Sequence, residues 1–123
     1  MKRAMLAAIV AVSAMLVSVA NAQDVAHPAG CPWRSFCGCG VSVKIFGHPV
    51  RDLYLAANWF RFPRAAPAPG MVAVRRHHVM AIIAYNGRTA TVYDPNSGHH
   101  GTRVHERSLA GYTVVNPTRY AAR

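Results

Sequence analysis

Val79-Met80-Ala81-Ile82-Ile83-Ala84-Tyr85, then Asn86-Gly87, then Arg88-Thr89-Ala90-Thr91-Val92-Tyr93: two apolar runs flank the strongest short-range hairpin signal in the chain. Both runs are rich in β-branched and aromatic residues, which suits an antiparallel strand pair. Working outward, 71–74 is a shorter apolar run entering the same sheet, and Pro95-Asn96-Ser97-Gly98 reads as a turn. Residues 102–105 and 112–115 then offer two further strands.

Upstream of Gly70 the pattern is helical. The small and apolar residues of 37–46 suit a short buried helix, stopped by Gly47-His48-Pro49. Asp52 can cap a second helix, whose apolar face would be Leu53, Ala56, Ala57 and Phe60 at i, i+3, i+4, i+7. Phe62-Pro63 ends it, and 65–70 is a stiff, proline-rich connector. Helices first and an antiparallel sheet afterwards give an α+β domain over 37–117. An irregular lead-in (23–36) precedes the domain and a basic tail (118–123) follows it.

Residues 1–22 read as a secretory signal peptide. Lys2 and Arg3 form the positive n-region, 4–19 the apolar h-region, and Ala20-Asn21-Ala22 the small-x-small cleavage site. The expectation is an exported chain, periplasmic or extracellular, with no transmembrane helix once the signal is cut. Roughly 100 residues remain, enough for one modest core and no separate recognition module.

Fourteen Lys and Arg stand against four Asp and Glu, for a formal net charge of +10. A basic exported domain favours anionic partners such as wall polymers, lipopolysaccharide, nucleic acid or acidic lipid heads. The arginines are spread along the chain, so their charge equally serves solubility, and no dedicated nucleic-acid site is expected. The aromatics of Trp59-Phe60-Arg61-Phe62 fit core packing better than base stacking.

Cys31, Cys37 and Cys39 lie within nine residues, and three cysteines cannot all pair within one chain. A bond between Cys37 and Cys39 would close a strained loop, so Cys31 to Cys39 or Cys31 to Cys37 is geometrically easier. The thiol left over is a candidate for reactivity. The three cysteines with His99 and His100 also form a soft-ligand set. Cys-x-Cys is poor spacing for structural zinc, however, and neither metal nor cofactor is expected.

Cys37 at a helix start, a histidine entering an apolar strand and the polar step Asp94-Pro95-Asn96 are the parts of a cysteine-nucleophile hydrolase. Free N–H groups and the helix dipole favour a thiolate, and the same N–H groups can hold an oxyanion. His77 and His78 both offer the base. A two-residue Asn86-Gly87 loop would put Asp94 opposite Val79, on the His77 face. One extra residue puts Asp94 opposite Met80 and Asn96 opposite His78, all on one face.

Residues 35–116 resemble exported papain-like amidases and peptidases of the bacterial wall: the NlpC-type peptidases and the cysteine–histidine-dependent amidohydrolase/peptidase (CHAP) group. Phe36-Cys37-Gly38, Ala57-Asn58-Trp59, Pro69-Gly70 and His78-Val79 carry the likeness, and Asp94 and Asn96 reproduce an acidic residue followed two positions later by asparagine. The resemblance implies a papain-like fold with short N-terminal helices on a small antiparallel sheet. It also implies Cys37 as nucleophile, His78 as base, Asp94 as orienting group and Asn96 as auxiliary polar group. A catalytic Cys37 must be free, so the bridge would then join Cys31 to Cys39.

The expected register has an extra residue absorbed near Arg88. The expected activity is hydrolysis of amide or isopeptide bonds in peptidoglycan stem peptides. The alternative is a non-catalytic basic envelope protein that binds wall or another anionic polymer on the same fold.

Overall fold

The computed structural model describes residues 22–118, so all but the last residue of the signal-peptide reading of 1–22, and most of the basic tail, fall outside the described residues. Among the described residues six strands form one antiparallel sheet: β1 Gln23–Val25, β2 Val72–Arg75, β3 His78–Tyr85, β4 Ala90–Ser97, β5 Gly101–Arg107 and β6 Thr113–Val115. Their order across the sheet is β1-β5-β4-β3-β2-β6, with every pairing antiparallel. The α-helix α1, Cys37–Phe46, packs across β3 and β4. The chain is therefore α+β, with few helices. Among the described residues, no helix is long and apolar enough to cross a membrane.

Alternation along β3 builds two apolar layers. Val79 and Ala81 join Val41, Leu53, Trp59, Val72, Val74 and Val115 beneath α1. Met80 and Ile82 point the other way, onto Ala73, Ala90, Val92 and Val114. That second layer is covered by Met71, Leu109 and Tyr112.

Helix α1 carries two glycines in its first turn, which weakens it as an isolated helix. Packing explains both. A Cβ on Gly38 would collide with the carbonyl oxygens of Leu53 and Tyr54. A Cβ on Gly40 would stand 2.6 Å from the Pro95 Cβ and 3.1 Å from the Pro28 Cγ. The helix start is thus pressed against backbone on one side and β4 on the other. Ser42 ties the helix to the next segment, donating to the Cys39 carbonyl (2.8 Å) and accepting from the Val50 N–H (3.0 Å). Gly47, at φ 87°, ends the helix in the left-handed conformation.

Several local expectations need correction. The expected second α-helix is instead two 3₁₀ segments, Arg51–Leu53 and Ala56–Arg61. Leu53, Ala56, Trp59 and Phe62 are buried, a spacing of three, whereas Phe60 is 45 % exposed. Three residues per turn put every third side chain in line, so the α-helical face was the wrong one. Asp52 makes no side-chain cap; it lies 3.9 Å from Arg61 at the surface. The stretch read as an irregular lead-in begins with strand β1, which pairs with β5 through Gln23–Val104, Asp24–Arg103 and Val25–Thr102.

The expected turn at Pro95 to Gly98 is also displaced. Strand β4 runs through to Ser97, with an irregular register between Asp94 and Ser97, and Asn96 there has φ 59°. A proline inside a central strand cannot donate to the ladder, and the bulge absorbs that loss. The chain turns instead at Gly98, His99 and His100, all with positive φ.

Candidate functional site

The β3–β4 hairpin decides which histidine meets Asp94. Tyr85 pairs with Ala90, so Gly87 and Arg88 are the central turn residues rather than Asn86 and Gly87. Gly87 takes φ 94°, and the Asn86 Oδ1 accepts from the N–H groups of Arg88 (2.9 Å) and Thr89 (2.8 Å). A register shift between Ile82 and Ala84 follows, after which Ile82 faces Val92 and Ala81 faces Tyr93. The slip therefore sits in β3 at Ile83, not near Arg88. It carries Asp94 to the His78 side of the sheet.

His78 opens β3 and pairs with Arg75 across the short Arg76-His77 turn, while His77 is exposed. The His78 Nε2–H donates to Oδ1 of Asp94 at 2.6 Å. Cys37 also acts on the ring as a hydrogen-bonding and charge partner, and Nδ1 is the nitrogen that the Asp94 bond leaves open. Burial pulls the His78 pKa down, but the hydrogen bonds to Asp94 and Cys37 outweigh it and raise the value from 6.5 to about 9. At neutral pH the ring is an imidazolium, with a donor at each nitrogen.

Asp94 is fully buried. Its Oδ2 accepts from the His105 Nε2–H at 2.7 Å and from Arg107 Nη1 at 3.3 Å. Burial alone would raise its pKa. The hydrogen bonds from His78 and His105, the His78 charge and a contribution from Ser97 hold it well below the usual carboxylate range. One buried carboxylate thus serves three cationic or cation-capable side chains.

Cys37 is the free cysteine, at the first position of α1 and 7 % exposed. Cys31 and Cys39 form a disulfide with Cα atoms 5.7 Å apart. The bridge packs on Phe36, and His27 lies against Phe36 and Trp33, so the segment before the helix is fastened to its start.

The structure brings Cys37, His78 and Asp94 together. Asn96 is not the His78 partner: Asp94 takes Nε2, and Asn96 lines an open cleft of about 460 Å³ beside the ring. The same cleft is lined by Arg75, Arg103, His105 and Arg107. Sequence reasoning missed His105 and Arg107 as Asp94 partners. Their signal was the period-two run Arg103, His105, Arg107 in β5, but reading it required knowing that β5 lies beside β4. Among the described residues no group of three or more His, Cys, Asp or Glu is placed to hold a metal ion.

Neither the family models, nor the curated proteins, nor the solved structures with which the chain was compared give a match.

Proposed function

We propose that this protein is a small exported cysteine hydrolase with a papain-like arrangement, acting on amide or isopeptide bonds of peptidoglycan stem peptides. One observation carries the reading: the His78 ring has both the free cysteine and a fully buried carboxylate as partners. Cys37 supplies the nucleophile, His78 the proton shuttle, and Asp94 holds the ring and favours its cationic form. The Cys31–Cys39 bridge supports export, since such bonds persist in oxidising compartments.

The thiolate of Cys37 attacks the carbonyl carbon, and the N–H groups at the start of α1 are assigned to hold the developing oxyanion. The tetrahedral intermediate collapses, the C–N bond breaks, and His78 gives its Nδ1 proton to the leaving amine. His78, now neutral, takes a proton from water, whose oxygen attacks the thioester. The second tetrahedral adduct collapses with cleavage of its C–S bond, which releases the acid and restores the Cys37 thiolate beside the His78 cation. Asn96 lines the cleft beside His78 and is assigned to that cleft rather than to the proton path.

The test is digestion of purified peptidoglycan by the wild-type protein, Cys37→Ser and His78→Gln, with released peptides read by mass spectrometry. New amine and carboxylate ends should appear with wild type alone. A peptide adduct on Cys37 should be trapped by acid quench. Release by Cys37→Ser at the wild-type rate would remove the nucleophile and with it the proposal.

A further inference from the structure

The cleft beside His78 holds more positive charge than its own surroundings neutralise. The chain has only four Asp and Glu residues. Asp94 is buried in the His78–His105–Arg107 cluster, and Asp52 lies near Arg61 at the surface. Glu106 alternates with His105 and Arg107 along β5 and so points to the opposite face of the sheet. Asp24 sits across the β1–β5 ladder from Arg103, at the margin of the cleft, and lines an adjoining cavity. Within the cleft wall itself, Arg75, Arg103, Arg107 and the His78 cation therefore share a single buried carboxylate.

The three guanidiniums are held rather than trailing in solvent. Arg75 and Arg107 lie 4.9 Å and 5.8 Å from the Tyr112 ring centroid, within cation–π range. Arg103 donates through Nε and Nη2 to the Ser97 hydroxyl, at 3.2 Å and 2.8 Å. Arg107 engages Nη1 with Asp94 and with the Met80 sulfur. Among the described residues this leaves Nη1 of Arg103 and Nη2 of Arg107 for a ligand. Strand register places these groups: Arg75 pairs with His78, and Arg103 with Asp94. A volume of about 460 Å³ is in the range of small-molecule sites.

We propose that this cleft is an oxyanion subsite, taking a carboxylate or phosphate group of the ligand on Arg75, Arg103 and Arg107. Guanidinium forks match both groups, bind them through two N–H donors at once, and stay charged at every physiological pH. The link to a substrate rests on the hydrolase reading, with the anionic group seated beside the bond presented to Cys37. Anion binding itself does not depend on that reading.

The full chain is titrated calorimetrically with N-acetylglutamate, with inorganic phosphate and with neutral N-acetylglutamine amide, at constant ionic strength. One anion should bind saturably and the neutral amide should not. The tighter of the two anions identifies the group as peptide carboxylate or as phosphate. Arg75→Gln combined with Arg103→Gln should weaken binding about tenfold, the loss expected for charge-assisted contacts. Arg88→Gln removes one charge at the exposed hairpin turn and should leave binding unchanged.

Non-saturating heats, equal weakening by Arg88→Gln, or full binding by the folded double variant would each overturn the subsite. Cys37→Ser separates the two readings. Binding that survives in a chain inactive as wild type and variant alike upholds the subsite and removes the hydrolase. Peptide release without saturable anion binding does the reverse.

Discussion

Replacing Asp94 by asparagine keeps the side-chain outline and removes the one negative charge that His78, His105 and Arg107 share. In the wild-type fold, His78 is raised from 6.5 to about 9, a difference worth roughly 3 kcal/mol in favour of the folded, protonated state. The sign follows from the direction of the shift. A raised folded value contributes stability that is fully present below the unfolded value of 6.5, and loses it as pH rises through about 9. In Asp94→Asn the ring keeps its burial, which lowers its pKa, and loses its main compensation. The variant should then be less stable by about 3–5 kcal/mol near pH 6, the range for breaking a buried ion pair.

Urea unfolding with the disulfide intact, followed by tryptophan fluorescence from about pH 6 to pH 10, measures both quantities. Wild type should lose roughly 3 kcal/mol across that window, and Asp94→Asn should show little of the same slope. The His78 Cε1–H resonance gives the ring titration directly, free of other groups that ionise above pH 8. A wild-type His78 that titrates near its ordinary value, or a variant with an unchanged slope, would refute the account of this cluster.

Other substitutions probe the scaffold. Gly38→Ala drives a methyl into the Leu53 and Tyr54 carbonyls and should cost about 3 kcal/mol or abolish folding, read by thermal melting. Gly40→Ala meets the Pro95 ring, and its overpacking cost of about 1–3 kcal/mol is partly offset by the gain in helix propensity. Removing the disulfide by Cys31→Ser with Cys39→Ser opens a loop of sequence separation 8 and should cost about 2.5 kcal/mol in urea midpoints on the chain-entropy model. His78→Gln should slow alkylation of Cys37 by iodoacetamide at neutral pH about tenfold, since the sulfur loses its imidazole partner; an unchanged rate would uncouple the two residues.

The helix and the central hairpin were legible because each carries its own punctuation. Cys37–Phe46 ends at a glycine in the left-handed conformation, and β3 and β4 flank a glycine-containing turn. The grouping of His78 with Asp94 was legible only as one of two parities, since a single inserted residue reverses every side chain beyond it. What escaped was set by partners distant in sequence. Gln23–Val25 is short and exposed, and becomes a strand only because β5 offers an edge. The Leu53, Ala56, Trp59, Phe62 spacing fits three residues per turn, but Ala57 and Phe60 also made a plausible α-helical face. His105 and Arg107 needed the β4–β5 register before they could be placed beside Asp94.

The site stands where regular structure gives way, and each irregularity has a separate task. The slip at Ile83 turns Asp94 toward His78. The bulge that accommodates Pro95 lets β4 continue past Asp94 and carries Ser97 to Arg103. The bare Cα of Gly40 lets α1 settle on Pro95, beside Asp94, and Gly38 lets the same turn approach the 3₁₀ backbone. Each of these irregularities sets the position of the thiol, the imidazole or the carboxylate relative to the other two. Glycines that weaken a helix and a proline that interrupts a central strand are costs to the fold taken alone. Together they bring the three groups into contact, which a regular helix on a regular sheet of the same sequence pattern would not do.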